Sequence, residues 1–282
     1  TCALPIYYNP YVDAFWKWMP DLYPNLHTLR VTGGEPLLSK DTDKLLDYVI
    51  ENPNPNLNLA INTNLNPPDE ILHRFIEKVS KIVNEKKVKE LLIYTSNEAQ
   101  GECAEYIRYG LNYQKWLDNL KLCFEQLPKV SIGIMSTYNL LSLTSYTEFL
   151  QDILAIRNQY QLDSQNIYKN RLLLDIPYLR NPNFLSVTSI EEEQKEFIKK
   201  HLEFMRNNSR STSLFGFNDY EIIKLDRIYT MIRNQKIENI PGSRQVRKNF
   251  VTYIDEYDRR RNTNFLKTFP ELAPMYYKWQ AL

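Results

Sequence analysis

Residues 29–38 read L-R-V-T-G-G-E-P-L-L, and this stretch predicts a strand, a turn and the start of a helix. Leu29 and Val31 in its first part are apolar and prone to β-structure. Gly33 and Gly34 end the strand, since glycine accepts backbone angles that other residues resist and has no Cβ. Glu35 and Pro36 suit the start of a helix, where the missing N–H of proline costs nothing. The turn therefore leaves its main chain open to a ligand.

Strand-like and helical segments alternate along the first two thirds of the chain. Apolar and polar residues alternate in residues 57–64, and apolar residues recur at helical spacing after Pro68. Further strands are predicted at residues 88–96, 130–138 and 172–178, and helices at residues 7–23, 40–51, 101–124 and 145–160. Such alternation is typical of an α/β protein with a parallel sheet and crossover helices. After residue 189 the strand pattern fades, and charged helical segments follow at residues 190–207, 218–234, 243–261 and 270–280.

Proline and asparagine mark the expected limits of the first helices. The aromatic residues of the helix at 7–23 have the spacing of a buried stripe, and Pro20 and Pro24 are expected to break that helix. Residues 52–56 read N-P-N-P-N, which predicts a loop after the second helix.

The composition favours a soluble protein with a sizeable core. The chain has 282 residues, of which 43% are hydrophobic and 24% are charged. Its net charge of +1 gives no electrostatic reason to expect nucleic acid or an anionic membrane as a partner. The sequence also shows neither a membrane span nor a signal peptide, so a cytoplasmic location is expected.

Cysteine and histidine are few and scattered. The three cysteines, Cys2, Cys103 and Cys123, make no disulfide framework and match neither CxxC nor CxxxCxxC. Cys103 and Cys123 fall in a helical region and are expected to be buried as small apolar residues. The three histidines share no metal-ligand spacing, and a structural or surface role is expected for His27, His73 and His201.

The motif Gly33-Gly34-Glu35-Pro36 resembles the GGEP motif of radical S-adenosylmethionine (SAM) enzymes, which follows an early barrel strand. Five further segments look like twitch-domain-containing radical SAM proteins: L-A-I-N-T-N-L, E-Y-I-R-Y-G-L, I-M-S-T-Y-N, L-D-I-P-Y-L-R and R-R-N-T-N-F-L-K-T-F-P-E-L. The resemblance implies a partial (βα)6 TIM-type barrel that lacks its first strand. A mainly helical C-terminal extension follows it.

The residues and the resemblance together predict a division of the chain. Residues 1–6 read T-C-A-L-P-I, and their back-translation in one frame fits the end of a sequencing adaptor, so a non-native segment is expected there. Residues 7–185 then form the truncated barrel, and residues 186–282 form the helical extension. The source DNA upstream of the Tyr7 codon tests this expectation, because an adaptor-derived segment has no counterpart in it.

The implied function is that of a fragment of a radical SAM oxidoreductase. In that family a 4Fe–4S cluster, bound by CxxxCxxC, cleaves SAM to a 5′-deoxyadenosyl radical that abstracts hydrogen from substrate. This chain lacks those cysteines, so they are expected upstream and the chain as given is expected to be inactive. No cysteine follows Cys123, which leaves an auxiliary cluster without ligands. The implied partners are a reductase or a flavodoxin- or ferredoxin-type electron donor, and a peptide, protein or small-metabolite substrate.

Polar residues at the predicted strand ends are the candidates for binding SAM. By resemblance, the GGEP main chain and Glu35 hold the amino group, while Ser96 and Arg108 hold the carboxylate. Arginine suits that role because its planar fork binds a carboxylate through two hydrogen bonds. The alternative is that Arg108 pairs with a glutamate on its own helix. Asn62 and Asn64 are the candidates for binding the ribose, and Tyr178 is the candidate for contacting the adenine. The full candidate set is Gly33, Gly34, Glu35, Pro36, Asn62, Asn64, Ser96, Arg108, Ser136 and Tyr178. The alternative partners of Arg108 are Glu102 and Glu105.

Two other functions stay open. A GGEEF-like nucleotide cyclase has a similar turn at Gly33-Gly34-Glu35, but it lies in a β-hairpin and needs an acidic residue and Phe next, where this chain has Pro36 and Leu37. A catalytically inactive SAM-binding or protein-interaction module derived from the same barrel fits the missing cysteines. The residues alone do not identify a substrate, since a shared fold does not fix what is modified.

Overall fold

The computed structural model describes residues 9–160 and 171–282, so the adaptor-like segment at residues 1–6 lies outside the described residues. Helices and strands alternate up to Asp175, and helices follow. The strands are β1 (Thr28–Val31), β2 (Asn54–Asn62), β3 (Val88–Ser96), β4 (Ser131–Met135) and β5 (Leu172–Asp175). The helices are α1 (Pro10–Leu22), α2 (Lys40–Glu51), α3 (Asp69–Asn84), α4 (Gly101–Ile107), α5 (Tyr113–Gln126), α6 (Tyr146–Tyr160), α7 (Glu192–Asn207), α8 (Asp219–Ile232), α9 (Ser243–Arg261), α10 (Phe265–Thr268) and α11 (Ala273–Gln280).

The five strands found in the described residues form one parallel sheet in the order β1-β2-β3-β4-β5. At one end of the sheet Leu29 is in register with Leu59. At the other end Gly133 is in register with Leu173. The α/β class with a parallel sheet is therefore confirmed.

The chain divides into two compact units. The first comprises the described part of Thr1–Asn62 together with Pro68–Ile93, and the second comprises Thr63–Pro67 with the described part of Tyr94–Leu282. This division does not test the predicted boundary between residues 185 and 186. Residues 186–282, all of which are described, contain α7 to α11 and no strand.

Three predictions about the first unit are wrong. In α1 the aromatic residues are exposed or only half-buried, and Met19 is the buried side chain, so the helix has no buried aromatic stripe. Pro20 lies inside α1 and does not end it, because a proline near the helix end removes only one late hydrogen bond. Residues 54–56 belong to β2 and not to a loop; the Asn54 N–H donates to Lys87 O, and its side-chain amide donates to Tyr23 O.

The bounds of several elements in the second unit also differ from the prediction. The helical region predicted at residues 101–124 is two helices, since the chain leaves α4 at Arg108 and passes through Gly110, whose φ is +91°. β4 and β5 end at Met135 and Asp175, a few residues earlier than expected. The short helix α10 was not predicted.

A buried ion pair covers the outer edge of β5. Arg157 on α6 donates to both carboxylate oxygens of Glu221 on α8, at 2.5 and 3.1 Å, and both side chains are almost completely buried. Arg157 also donates to Leu172 O, and Glu221 accepts from Leu174 N. These two backbone groups point away from β4, so the ion pair provides hydrogen-bond partners for the edge of the sheet and holds α8 against that edge.

Candidate functional site

A cavity of about 290 Å³ lies in the second unit at the C-terminal ends of the strands. Glu98 follows β3, Thr137 and Asn139 follow β4, and Leu179 follows β5. The remaining walls come from helices α4 and α9 and from two turns. This is the end of a parallel sheet at which ligands bind in α/β proteins. The volume is at the low end of ligand sites, about 300–1,000 Å³, so it suits a group the size of an amino acid.

Arg108 lies in the wall of this cavity and is held by Glu98. Its Nε and Nη2 donate to Glu98 Oε2 at 2.9 and 2.6 Å. Glu98 is buried, whereas the Arg108 side chain is 31% exposed. Burial raises the pKa of the Glu98 carboxyl, and Arg108 opposes that rise. Among the described residues the other N–H groups of Arg108 have no partner, so they are available to a ligand.

Sequence reasoning missed Glu98 as the partner of Arg108. The alternative placed Arg108 against Glu102 or Glu105, but Glu105 accepts instead from Tyr113 N at 2.8 Å. Glu98 carried a signal, since it follows β3 directly in the series T-S-N-E. Its backbone N–H is capped by the Asn97 side chain, which fixes this turn.

Tyrosines from α4 and α9 form the aromatic wall of the cavity. The rings of Tyr106 and Tyr257 lie 5.1 Å apart, and Tyr257 Oη donates to Tyr106 O at 2.7 Å. Tyr106 Oη donates in turn to Asp258 at 2.9 Å, and burial together with this carboxylate raises the pKa of Tyr106. Asp258 also accepts from Thr263 Oγ1 and from Phe265 N. This group, Tyr106, Asp258, Thr263 and Phe265, is called the Asp258 cluster below.

The GGEP turn lies in the first unit, directly after β1. Gly33 has φ +154°, which favours glycine, and a Cβ added at Gly33 or Gly34 would meet no atom within 4 Å. Glu35 accepts from Leu37 N at 3.1 Å and so caps a 3-10 turn over Pro36–Leu38. The α-helix itself begins only at Lys40, so the predicted helix start at Glu35 is a 3-10 turn. The main chain of both glycines is open.

The other predicted residues lie in different surroundings. In the first unit Asn62 accepts from Arg30 Nε at 3.0 Å. In the second unit Asn64 accepts from Asn66 N, and Ser96 is half-buried at the end of β3. Ser136 is completely buried, and Tyr178 lines a separate cavity. Arg108 is therefore the predicted residue that the structure places in the 290 Å³ cavity.

Ser136 belongs to a buried polar cluster under the strand ends. Its hydroxyl lies 3.1 Å from Tyr146 Oη, and Tyr138 Oη lies 2.8 Å from His201 Nδ1. Tyr138, Tyr146 and His201 also pack ring against ring, at centroid distances of 4.7 to 6.0 Å. His201 therefore has a structural role, as predicted for it.

His201 makes stability depend on pH. Burial lowers the pKa of His201 from 6.5 to about 3. Between pH 6.5 and about pH 3, the unfolded chain therefore binds a proton at His201 that the folded chain does not bind. The contribution of neutral His201 to stability is fully present above pH 6.5 and is lost as the pH falls. We expect the free energy of unfolding to drop by about 1.4 kcal/mol per pH unit from this residue. Urea titrations between pH 7 and 5 measure it.

The matched variants isolate the effect of His201. His201→Gln is expected to flatten the pH dependence relative to the wild type. His73→Gln is expected to retain the wild-type slope, since His73 is exposed on α3. Parallel pH curves for the wild type and His201→Gln would show that this histidine is protonated in the folded protein.

The described residues do not fit an iron–sulfur cluster. Over residues 9–160 and 171–282, no group of three or more His, Cys, Asp or Glu side chains is arranged to hold a metal ion. Cys123 is buried, as predicted, but Cys103 is only half-buried, with its Sγ 3.5 Å from Thr268 O.

Comparison of the chain with protein families, with curated proteins and with solved structures finds no match. Within the described residues, none of the helices combines the length and apolar character that a membrane span requires.

Proposed function

We propose that this chain binds S-adenosylmethionine and is the partial-barrel fragment of a radical SAM enzyme. The observation that carries the proposal is the Arg108 guanidinium, which a buried carboxylate holds in the wall of a cavity over the strand ends. Because Glu98 already holds the Arg108 guanidinium in place, the side chain loses little conformational freedom when it binds a ligand carboxylate.

The strand order supports a barrel. In doubly wound sheets the order reverses at a switch point, whereas in a βα barrel each strand is next to its neighbours in sequence. The order β1-β2-β3-β4-β5 has no reversal. With right-handed crossovers, the connecting helices of such a sheet lie on one face.

The GGEP turn supports SAM as the ligand. Its glycines present bare main chain, which suits the amino group of an amino acid, and Glu35 adds a carboxylate near that main chain. The turn follows a strand that pairs in parallel with β2 and precedes a 3-10 turn. This arrangement differs from the β-hairpin of the cyclase alternative.

The roles of the chain's own residues are binding and orientation. Arg108 binds the carboxylate of the methionine moiety, and Glu98 positions Arg108. The rings of Tyr106 and Tyr257 exclude water from one side of the cavity. Bound SAM supplies a sulfonium carbon–sulfur bond that is ready for cleavage. Since no cluster fits the described residues, the proposal for this chain is confined to binding.

Isothermal titration with SAM tests the proposal. Arg108→Gln is expected to weaken SAM binding at least about tenfold, because a charged hydrogen-bonded pair is lost. Arg108→Lys keeps a charge for Glu98 but loses the fork, so it is expected to remain folded and still bind SAM weakly. Methionine is expected to show the same dependence on Arg108, and adenosine is expected to show none.

The matched control is Arg206→Gln. Arg206 forms an ion pair with Asp226 at 2.6 Å, the same distance as between Arg108 and Glu98. The pair of Arg206 with Asp226, however, is exposed on α7 and α8. Its SAM affinity is expected to equal that of the wild type. Unchanged affinity in Arg108→Gln, or equal losses in both variants, would contradict the proposal.

A further inference from the structure

A second cavity, of about 400 Å³, lies in the second unit between the chain that follows β5 and helix α8. It is separate from the cavity that contains Arg108, and the function proposed above does not use it. The lining residues that matter here are Tyr178, Arg180, Lys224, Arg227, Ile228 and Met231.

The charge of this cavity is positive and largely uncompensated. Lys224 pairs with Asp175, with its Nζ 3.1 Å from the carboxylate. Arg180 and Arg227 are exposed, and among the described residues neither has a carboxylate within ion-pair distance. Arg180 instead lies over the ring of Tyr178, 5.3 Å from its centroid. Two guanidinium groups therefore remain for an anion of about two negative charges.

The rest of the cavity wall is apolar. The Tyr178 ring forms one side, and Ile228 and Met231 form the other. Ile228 is buried, and Met231 is 41% exposed. An apolar or aromatic body would cover Met231 and the Tyr178 ring while its charged end met the arginines.

The cavity is built on a rigid part of the fold. Lys224, Arg227, Ile228 and Met231 recur at helical spacing, so α8 presents them on one face. The buried pair of Arg157 with Glu221 fixes that helix against the edge of β5. The helix that carries Lys224 and Arg227 is therefore already ordered before a ligand arrives, which lowers the entropic cost of binding.

We propose that this cavity binds a phosphomonoester carried on an aromatic or apolar body. A phosphomonoester has about −1.5 to −2 charges at neutral pH, which matches two arginines, and its oxygens accept from guanidinium forks. SAM does not fit this chemistry, since it carries a sulfonium cation. The proposal therefore stands independently of the function proposed above.

Titration at low ionic strength tests the proposal with three probes: phenyl phosphate, inorganic phosphate and phenol. Phenyl phosphate is expected to bind more tightly than either of the other two. We expect the affinities for phenyl phosphate and for inorganic phosphate to fall at least about tenfold in Arg180→Gln and in Arg227→Gln. Tyr178→Leu is expected to remove most of the advantage of phenyl phosphate over phosphate and to leave phosphate binding unchanged.

Arg206→Gln is again the control, because Arg206 is an exposed arginine of the same unit outside this cavity. It is expected to bind all probes as the wild type does, and excess SAM is expected not to displace phenyl phosphate. Equal phosphate affinities for Arg206→Gln and Arg180→Gln would overturn the proposal. Equal affinities of phenyl phosphate and phosphate for the wild type would also overturn it, and displacement by SAM would assign the cavity to SAM.

Discussion

Glu221→Gln is expected to lower the free energy of unfolding by about 3–5 kcal/mol, because it leaves the buried Arg157 guanidinium without its carboxylate. Arg157 Nη2 lies 2.5 Å from Glu221 Oε1, and neither side chain is open to solvent. Urea titration followed by circular dichroism measures the change. Asp226→Asn on the same helix removes an exposed ion pair and is expected to cost less than about 1 kcal/mol.

The double variant Arg157→Met/Glu221→Leu separates the charge from the packing. Replacing both ions by apolar side chains avoids an unpaired buried charge, so part of the lost stability is expected to return. Recovery is expected to be incomplete, because Leu172 O and Leu174 N at the edge of β5 also lose their partners. A cost below about 1 kcal/mol for Glu221→Gln would contradict the burial described for the pair.

Gly216→Ala is expected to destabilise the second unit by about 3 kcal/mol, the upper end of the usual cost of overpacking. A Cβ at Gly216 would lie 2.5 Å from Ser209 O and 2.6 Å from Ser209 C, and closer still to Asn208 O. Backbone atoms cannot rotate away as a side chain can, and Phe217 N donates to Asn208 O across the same turn. Thermal unfolding measures the loss.

Gly34→Ala is the matched control for Gly216→Ala. A Cβ at Gly34 meets no atom within 4 Å, and its φ lies outside the left-handed region. Its unfolding temperature is therefore expected to equal that of the wild type. If Gly216→Ala unfolded at the same temperature as Gly34→Ala, the close approach of the two backbone segments would be wrong.

The elements that the sequence predicted best are those whose limits are set locally. Helix α2 begins where Ser39 accepts from Asp41 N, and strand β3 matches its predicted bounds. Local signals say less about burial. The aromatic residues of α1 have the spacing of a helix face, but only the neighbouring elements decide whether a face is covered.

The candidate site was predicted only in part. Arg108 was found by its place in a motif, but its partner was sought at helical spacing and lies instead in the turn after β3. Tyr257 reaches Tyr106 across 151 positions of the chain, and no local pattern marks such a contact. The arginines of the second cavity were missed for the same reason, since Arg180 and Arg227 come together only when α8 packs beside β5.

The Asp258 cluster has a consequence for proteolysis. Arg259, Arg260 and Arg261 form a run of trypsin sites at the end of α9, and the side chains of the first two are about two-thirds exposed. A protease needs several residues of extended chain, however, and Asp258 binds both Thr263 and Phe265 just beyond the run. Cleavage there therefore requires local unfolding of the cluster, so the rate at which trypsin cuts after these arginines reports how often the Asp258 cluster opens.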